Sequence, residues 1–207
     1  MRVFVLIVVL SLMLVLPAAA QLQPNNAQSS NVQTWNIDPA HTAAQFSVRH
    51  LGISTVRGAF TKVSGSVQYD PSDPTKTTIE ATIDANSVDT RVEKRDNDLR
   101  SPDFFDVAKY PTLIFKSKRV ETAGAGKLKL VGDLTIHGVT EEVVLDVDGP
   151  SAPIKDPRGN LHMGVSATTT VNRKDFGVNG AAAAVGDDVP ITIDMELVRP
   201  APSPSSN

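Results

Sequence analysis

From about Thr34 to Val198 the chain is built of short runs in which every second side chain is apolar, separated by Gly, Pro, Asp and Asn. Phe46, Val48 and His50 fall on one side of a run whose other side carries Gln45, Ser47 and Arg49. A second run starts near Val56 and Phe60 and continues through Val67 and Tyr69, with Gly58 and Gly65 suggesting bends or bulges within it. Ile79, Ala81 and Ile83 alternate with polar neighbours, Leu113 and Phe115 follow Pro111, and Leu128, Leu130, Leu134 and Ile136 follow a glycine turn at 124–126. Val143, Leu145 and Val147 come next, then Met163, Val165, Ala167 and Thr169, and last Val189, Ile191, Ile193, Met195 and Leu197. Period two is the mark of a strand with one buried face. The pattern therefore predicts about eight strands, and short turns such as the one at 137–140 make sequential neighbours antiparallel. Strands with one apolar face each can pack as a sandwich or close as an up-and-down barrel, and closure also removes exposed sheet edges. An eight-stranded barrel is just wide enough to fill with side chains or to enclose one small ligand.

The alternation fails between residues 90 and 105. Thr90-Arg91-Val92-Glu93 has the form of a capping box and predicts a helix starting there. On that helix Val88, Val92 and Leu99 fall on one side, joined by Arg95 and Asp96, while Lys94 with Asp98 and Asp96 with Arg100 have the i,i+4 spacing of ion pairs. Ser101-Pro102 offers a second cap, and a short turn then carries Phe104 and Phe105. A helical insert between two barrel strands cannot lie in the sheet, so it crosses an open end or an outer face. Across an end it is a lid, and its two phenylalanines plug or line the mouth. The competing reading is an ordinary hydrophobic staple over a filled interior.

Composition narrows the class. The 207 residues, 41% hydrophobic and 21% charged, suit one globular domain. Residues 1–20 combine Arg2, an apolar run from Val3 to Leu16 and an Ala18-Ala19-Ala20 site, as a secretory signal peptide does. That run is shorter than the roughly 20 residues a membrane-spanning helix needs. Polar, aperiodic residues 21–33 and the Pro/Ser-rich 200–207 read as flexible tails around a domain at 34–199. With no cysteine the core holds without disulfides, and the expected location is the periplasm or the exterior. The formal charge of −3, with no Lys/Arg block, speaks against nucleic acid as a partner.

Chemical motifs are sparse. His41, His50, His137 and His162 show no HxH or HxxxH pairing, and the nearest approach to a metal site is a meeting of His50 with His137 across strands; no metal and no cofactor is expected. G-x-S-x-G is absent, and Gly124-Ala125-Gly126 is a turn rather than a phosphate loop.

RDNDLRSPDFFDVAKYPTLIFKS (95–117) resembles the signature of the YceI-like family, and the resemblance extends through FSVRHLGISTVRGAF (46–60), GDLTIHGVT (132–140) and NRKDFGVN (172–179). It implies an all-β, antiparallel eight-stranded up-and-down barrel of lipocalin type with a short helical lid insert. It also implies a long apolar cavity that holds an isoprenoid lipid or quinone tail, in an exported carrier with no catalytic residue. A transient contact with a membrane or a lipid enzyme, and a homodimer, are compatible with such a role. One departure stands out: the family often has Arg-Asp-x-His-Leu where this chain has Arg95-Asp96-Asn97-Asp98-Leu99, so a head-group contact by that histidine does not carry over.

Alternation makes Phe46, Val48, Phe60, Val67, Ile79, Ile83, Phe115 and Leu134 inward candidates, with Phe104, Phe105 and Phe176 as mouth and floor contacts. Arg95 and Asp96 are the polar candidates of the lid or rim: they meet a head group, or they pin the lid by bonding each other or the barrel end. Arg173 and Asp175 read as a strand-end anchor. Two other functions stay open on the residues alone. One is an enzyme using a pair such as His50 and Asp96 on a bound lipid or amide; the other is a stress-response barrel filled by its own side chains.

Overall fold

The computed structural model describes residues 31–201; the leader expected at 1–20, residues 21–30 of the first tail and residues 202–207 lie outside them. Twelve strand segments follow in order: β1 (Gln33–Ile37), β2 (Ala43–His50), β3 (Ser54–Phe60), β4 (Val63–Tyr69), β5 (Thr78–Asp84), β6 (Val88–Asp89), β7 (Thr112–Thr122), β8 (Lys127–Ile136), β9 (Val139–Asp148), β10 (Ile154–Lys155), β11 (Leu161–Asn172) and β12 (Asp188–Arg199). One α-helix, α1 (Glu93–Arg100), lies between β6 and β7.

The ring runs β11, β9, β8, β7, β5, β4, β1, β12 and closes where β12 pairs with β11 along twelve registered positions from Leu161↔Arg199 to Asn172↔Asp188. These are eight antiparallel strands, each beside its neighbour in sequence, so the barrel is the up-and-down type predicted. The other segments continue the same paths. β1 meets β12 at Leu197 and Val198 while β2 meets it at Ile191 to Asp194, so the two are one strand interrupted at 38–42. β3 and β4 are likewise separated only by Thr61 and Lys62, and a 3₁₀ turn at Ala85–Ser87 separates β5 from β6.

The bend in the second path falls between the two glycines rather than on them. Gly58 serves a different purpose, since a Cβ there would stand 2.6 Å from the Phe46 ring and 2.8 Å from Thr90 Cγ2. Gly65 sits at φ +147°, with Glu80 O 2.1 Å from where its Cβ would be. Both let a neighbour approach closer than any side chain would allow.

The lid exists but starts differently from the predicted capping box. Val92 is the residue before the helix and makes no side-chain cap. Thr90 is taken instead by the Asp96 carboxylate, which accepts from both its backbone N–H and its hydroxyl. An ionised acceptor binds these donors more strongly than neutral partners would. Val88 belongs to β6 and is fully buried, Val92 is 46% exposed, and the helix turns Asp96 and Leu99 inward. Arg100 forms no ion pair with Asp96; it donates to the carbonyls of Asn86 and Val88. No second helix follows Ser101, whose hydroxyl bonds Asp98 O, and the chain turns so that Phe105 N–H donates to Leu99 O.

Candidate functional site

A filled barrel would bury every inward side chain. Along β12 the inward positions Val189, Ile191, Ile193 and Met195 are only half-buried, although their outward neighbours Asp188, Pro190, Thr192 and Asp194 face solvent. The space they face is a cavity of about 230 Å³, reaching from Thr77 and Pro150 at one end to Leu99, Phe104 and Phe105 beneath the lid. Along β8 its wall extends from Leu128 to Ile136, which at ~3.4 Å per residue and ~40° of tilt is roughly 20 Å of barrel axis. A dry apolar void of about 150 Å³ already accepts benzene, whereas pockets for drug-sized ligands run to about 300–1,000 Å³. Long and small in volume, this cavity has the shape of a chain.

Aromatic rings form its lid end. Phe46 and Phe60 lie 5.7 Å apart by centroid, and Phe105 reaches down from the lid to stand edge-on to Phe60 at 5.3 Å. Phe104 lies against Gly180, where a Cβ would come within 2.7 Å of its ring. Further down, Gly132 leaves room for the Phe115 ring in the same way. Phe46, Val48, Phe60, Val67, Ile79, Ile83, Phe104, Phe105, Phe115, Leu134 and Phe176 are all placed in the cavity wall. The wall also includes Ile191, Ile193 and Met195, which the same alternation marked as inward without singling them out.

Arg95 and Asp96 are not in the wall. They do not bond each other; they share Thr90. Its hydroxyl donates to Asp96 and accepts from Arg95 Nε at 2.8 Å, and Arg95 also donates to Thr90 O at 3.0 Å. Two charged side chains thus clamp α1 to the end of β6, and neither lies in the cavity wall. The Asp96 carboxylate takes no hydrogen bond from His50, which lies beyond the barrel end bridged to Val185.

The one charged side chain in the wall is Arg173. Its guanidinium has five N–H donors. They go to the carbonyls of Gly186, Val178, Gly180 and Val185 and, at 3.4 Å, to Asp187 Oδ1, which folds the 173–187 connection over the lid end. Asp175 takes part only through its backbone, N–H to Asn172 O. With Arg173 saturated, Gln45 donating to Asp194 and Thr77 to Pro74 O, the wall has little to offer a polar group.

The histidines sort differently from the expectation. His137 lies against the Tyr110 ring, 4.7 Å away, while His50 is bridged to Val185, and no contact joins the two histidines. His41 and His162 instead converge on Glu196 on the outside of the barrel. His162 Nδ1 is 2.6 Å from Glu196 Oε1 and its Nε2 3.3 Å from Asp156 Oδ2. His41 Nδ1 is 2.8 Å from Asp38 Oδ2 and 3.9 Å from Glu196 Oε2. The Asp38 hydrogen bond raises the His41 pKa, and bonds to Glu196 and Asp156 raise that of His162. Burial works against ionisation of Asp156, yet hydrogen bonds from Asn160, His162 and the Arg158 N–H outweigh it and lower its pKa to about 2. The cluster borders an open cleft of about 910 Å³.

A sequence profile of the YceI-like domain matches residues 35–197. A UPF0312 protein of Vibrio cholerae is 36% identical over 171 residues, which cover 82% of this chain and 87% of the relative. The crystal structure of the Campylobacter jejuni YceI protein, 32% identical, superposes with a TM-score of 0.66 over 74% of this chain and 90% of that one. A polyisoprenoid binding domain from Saccharophagus degradans, implicated in plant cell wall breakdown, has the same fold at 17% identity, with a TM-score of 0.60 over 80% of this chain and 98% of that one.

Proposed function

The chain belongs to the YceI-like family, and from that premise we propose that it is an exported carrier or reservoir for a long-chain isoprenoid lipid of quinone or polyprenyl type, with no chemistry of its own. The observation that carries the reading is the hollow interior: inward apolar side chains that remain half-buried around a long, narrow and almost wholly apolar cavity. Polyisoprenoid binding is the property named for the Saccharophagus degradans domain, and a prenyl tail fits such a tube.

Tail and head group are treated unequally by this wall. Each buried CH₂ is worth about 0.8 kcal/mol, so one five-carbon unit contributes roughly 4 kcal/mol before the cost of ordering the chain is subtracted. Free polar partners inside are scarce, so the head group stays at the mouth and cavity length selects the tail. A chain wider than the tube enters by displacing the phenylalanines below the lid. The apolar run from Val3 to Leu16 supports a site of action in the periplasm or the exterior, with cleavage after about Ala20 as part of the proposal.

Extraction with organic solvent of protein purified from a bacterial host tests the reading. A prenyl compound near one equivalent is expected in the extract by mass spectrometry. Folded protein that releases none, and takes up none when incubated with geranylgeraniol, would show the reading to be wrong.

A further inference from the structure

The break between β1 and β2 pushes residues 38–42 out of the sheet, beside the outward faces of β11 and β12. Asp38 opens this segment as a turn, its Oδ1 accepting from Ala40 N–H at 2.8 Å while its own N–H donates to Glu196 O at 2.8 Å. The turn brings His41 back toward the strand so that three donor atoms, Asp38 Oδ2, His41 Nδ1 and an oxygen of Glu196, lie within 4.8 Å of one another. From these residues we propose a site for a divalent first-row transition cation, of the zinc class, formed by Asp38, His41 and Glu196 on the outer face of the barrel. It is separate from the lipid cavity and does not depend on that reading.

Spacing supports it. Ligands about 2.1 Å from a tetrahedral ion lie about 3.4 Å apart. The His41 Nδ1 distances of 2.8 Å to Asp38 and 3.9 Å to Glu196 straddle that value, so shifts of about half an ångström bring both edges at His41 to it. His41 is the mobile partner, its side chain 64% exposed. The carboxylates are fixed by backbone: Asp38 by its turn, Glu196 by β12 and by the Thr42 hydroxyl accepting from its N–H.

Glu196 is oriented as well as placed. Oε1 is held by His162, which is held in turn by Asp156, itself bound by Asn160 and the Arg158 N–H. Oε2 accepts no hydrogen bond among the described residues and faces His41. A carboxylate with one oxygen braced by a hydrogen-bonded histidine and the other free toward an imidazole matches the outer-shell support that orients metal ligands. Imidazole with two carboxylates suits zinc and its neighbours, while calcium prefers six to eight oxygens. His41 and Glu196 also line the outer cleft, which leaves room for a further ligand beside them.

The test uses tag-free protein stripped with a chelator and titrated with Zn²⁺ alone by calorimetry, with metal content measured independently. One saturable equivalent is expected, weakened at least tenfold in His41→Ala and in Asp38→Asn. Glu196→Gln should act similarly, and His162→Gln should weaken binding less. X-ray absorption of the loaded protein should report one imidazole and oxygen ligands. Absence of saturable uptake, affinity unchanged in both His41→Ala and Asp38→Asn, or a loss on His137→Ala instead would overturn the assignment. His41→Ala removes an exposed side chain, and an unaltered melting temperature without metal confirms that its fold is kept. Lipid content should not change in any of these variants.

Discussion

At the lid end the cavity wall is aromatic: Phe46 and Phe60 on the hairpin paths, Phe104 and Phe105 on the turn after α1, all only partly buried apart from Phe60. At the other end Val120, Leu130, Leu145, Val147 and Ala167 pack as a compact aliphatic cluster, each at most 9% exposed. The aliphatic residues line the same cavity but cover one another almost completely, whereas Phe46, Phe104 and Phe105 stay only partly buried and lose dispersion contacts on their open side. Beside the buried Val88, Phe176 and Val178, the lid end is tied by polar contacts: Arg173 on four carbonyls, and Thr90 shared by Asp96 and Arg95. The proposed uptake of a chain requires one end that yields without unfolding, and the partly buried rings of the lid end are where the account puts it.

Breaking the polar frame should do most harm. Arg173→Met leaves four carbonyls without their donor in a buried setting and should cost about 3–5 kcal/mol in urea unfolding. A cost under about 1 kcal/mol would show that water replaces the guanidinium. Next comes the direct contrast between the ends. Leu130→Ala in the packed cluster should lose about 2–4 kcal/mol. Phe105→Ala, although it deletes a larger group, should lose under about 2 kcal/mol, against the about 3–5 kcal/mol of a ring packed on all sides. Its effect should appear as faster exchange of bound lipid. Equal losses at the two positions would erase the distinction.

Asp96→Ala frees the Thr90 N–H and hydroxyl and should cost about 1–3 kcal/mol, with hydrogen exchange rising first in α1 rather than throughout the barrel. The smallest effect is expected at Val92, which the helix leaves exposed: Val92→Ser should stay within about 0.5 kcal/mol of the parent protein by thermal unfolding. Had the capping box formed, Val92 would lie inward and that change would be costly.

The strands were legible because period two is a local property. Val189 to Leu197 read as one inward face and are one, while strand number and short turns left a sandwich and a barrel both open and the family resemblance supplied the closure of the sheet. The lid was legible as an interruption, but its start was not. Thr90 and Glu93 have the right spacing for a cap, yet Asp96 outcompetes the cap for Thr90, and spacing alone cannot rank two acceptors on one turn. Nothing local pointed to the cluster around Glu196. His162 is opposite Val198, so Glu196 is its diagonal neighbour, and that register is set across the long 173–187 connection. His41 arrives through the break at 38–42, which alternation showed only as a gap before Ala43. The cavity itself was the least visible, because a period-two face reads the same over a filled interior and a hollow one.

The central claim is that an apolar chain lies inside the barrel, in contact with both ends. Methyl NMR of the protein loaded with geranylgeraniol tests it most directly. The account predicts intermolecular NOEs to the methyls of Leu130 and Ile193 deep in the wall, together with shifts of the Phe105 ring. NOEs confined to exposed methyls such as Leu51 and Ile53, with Leu130 and Ile193 unmoved, would contradict it.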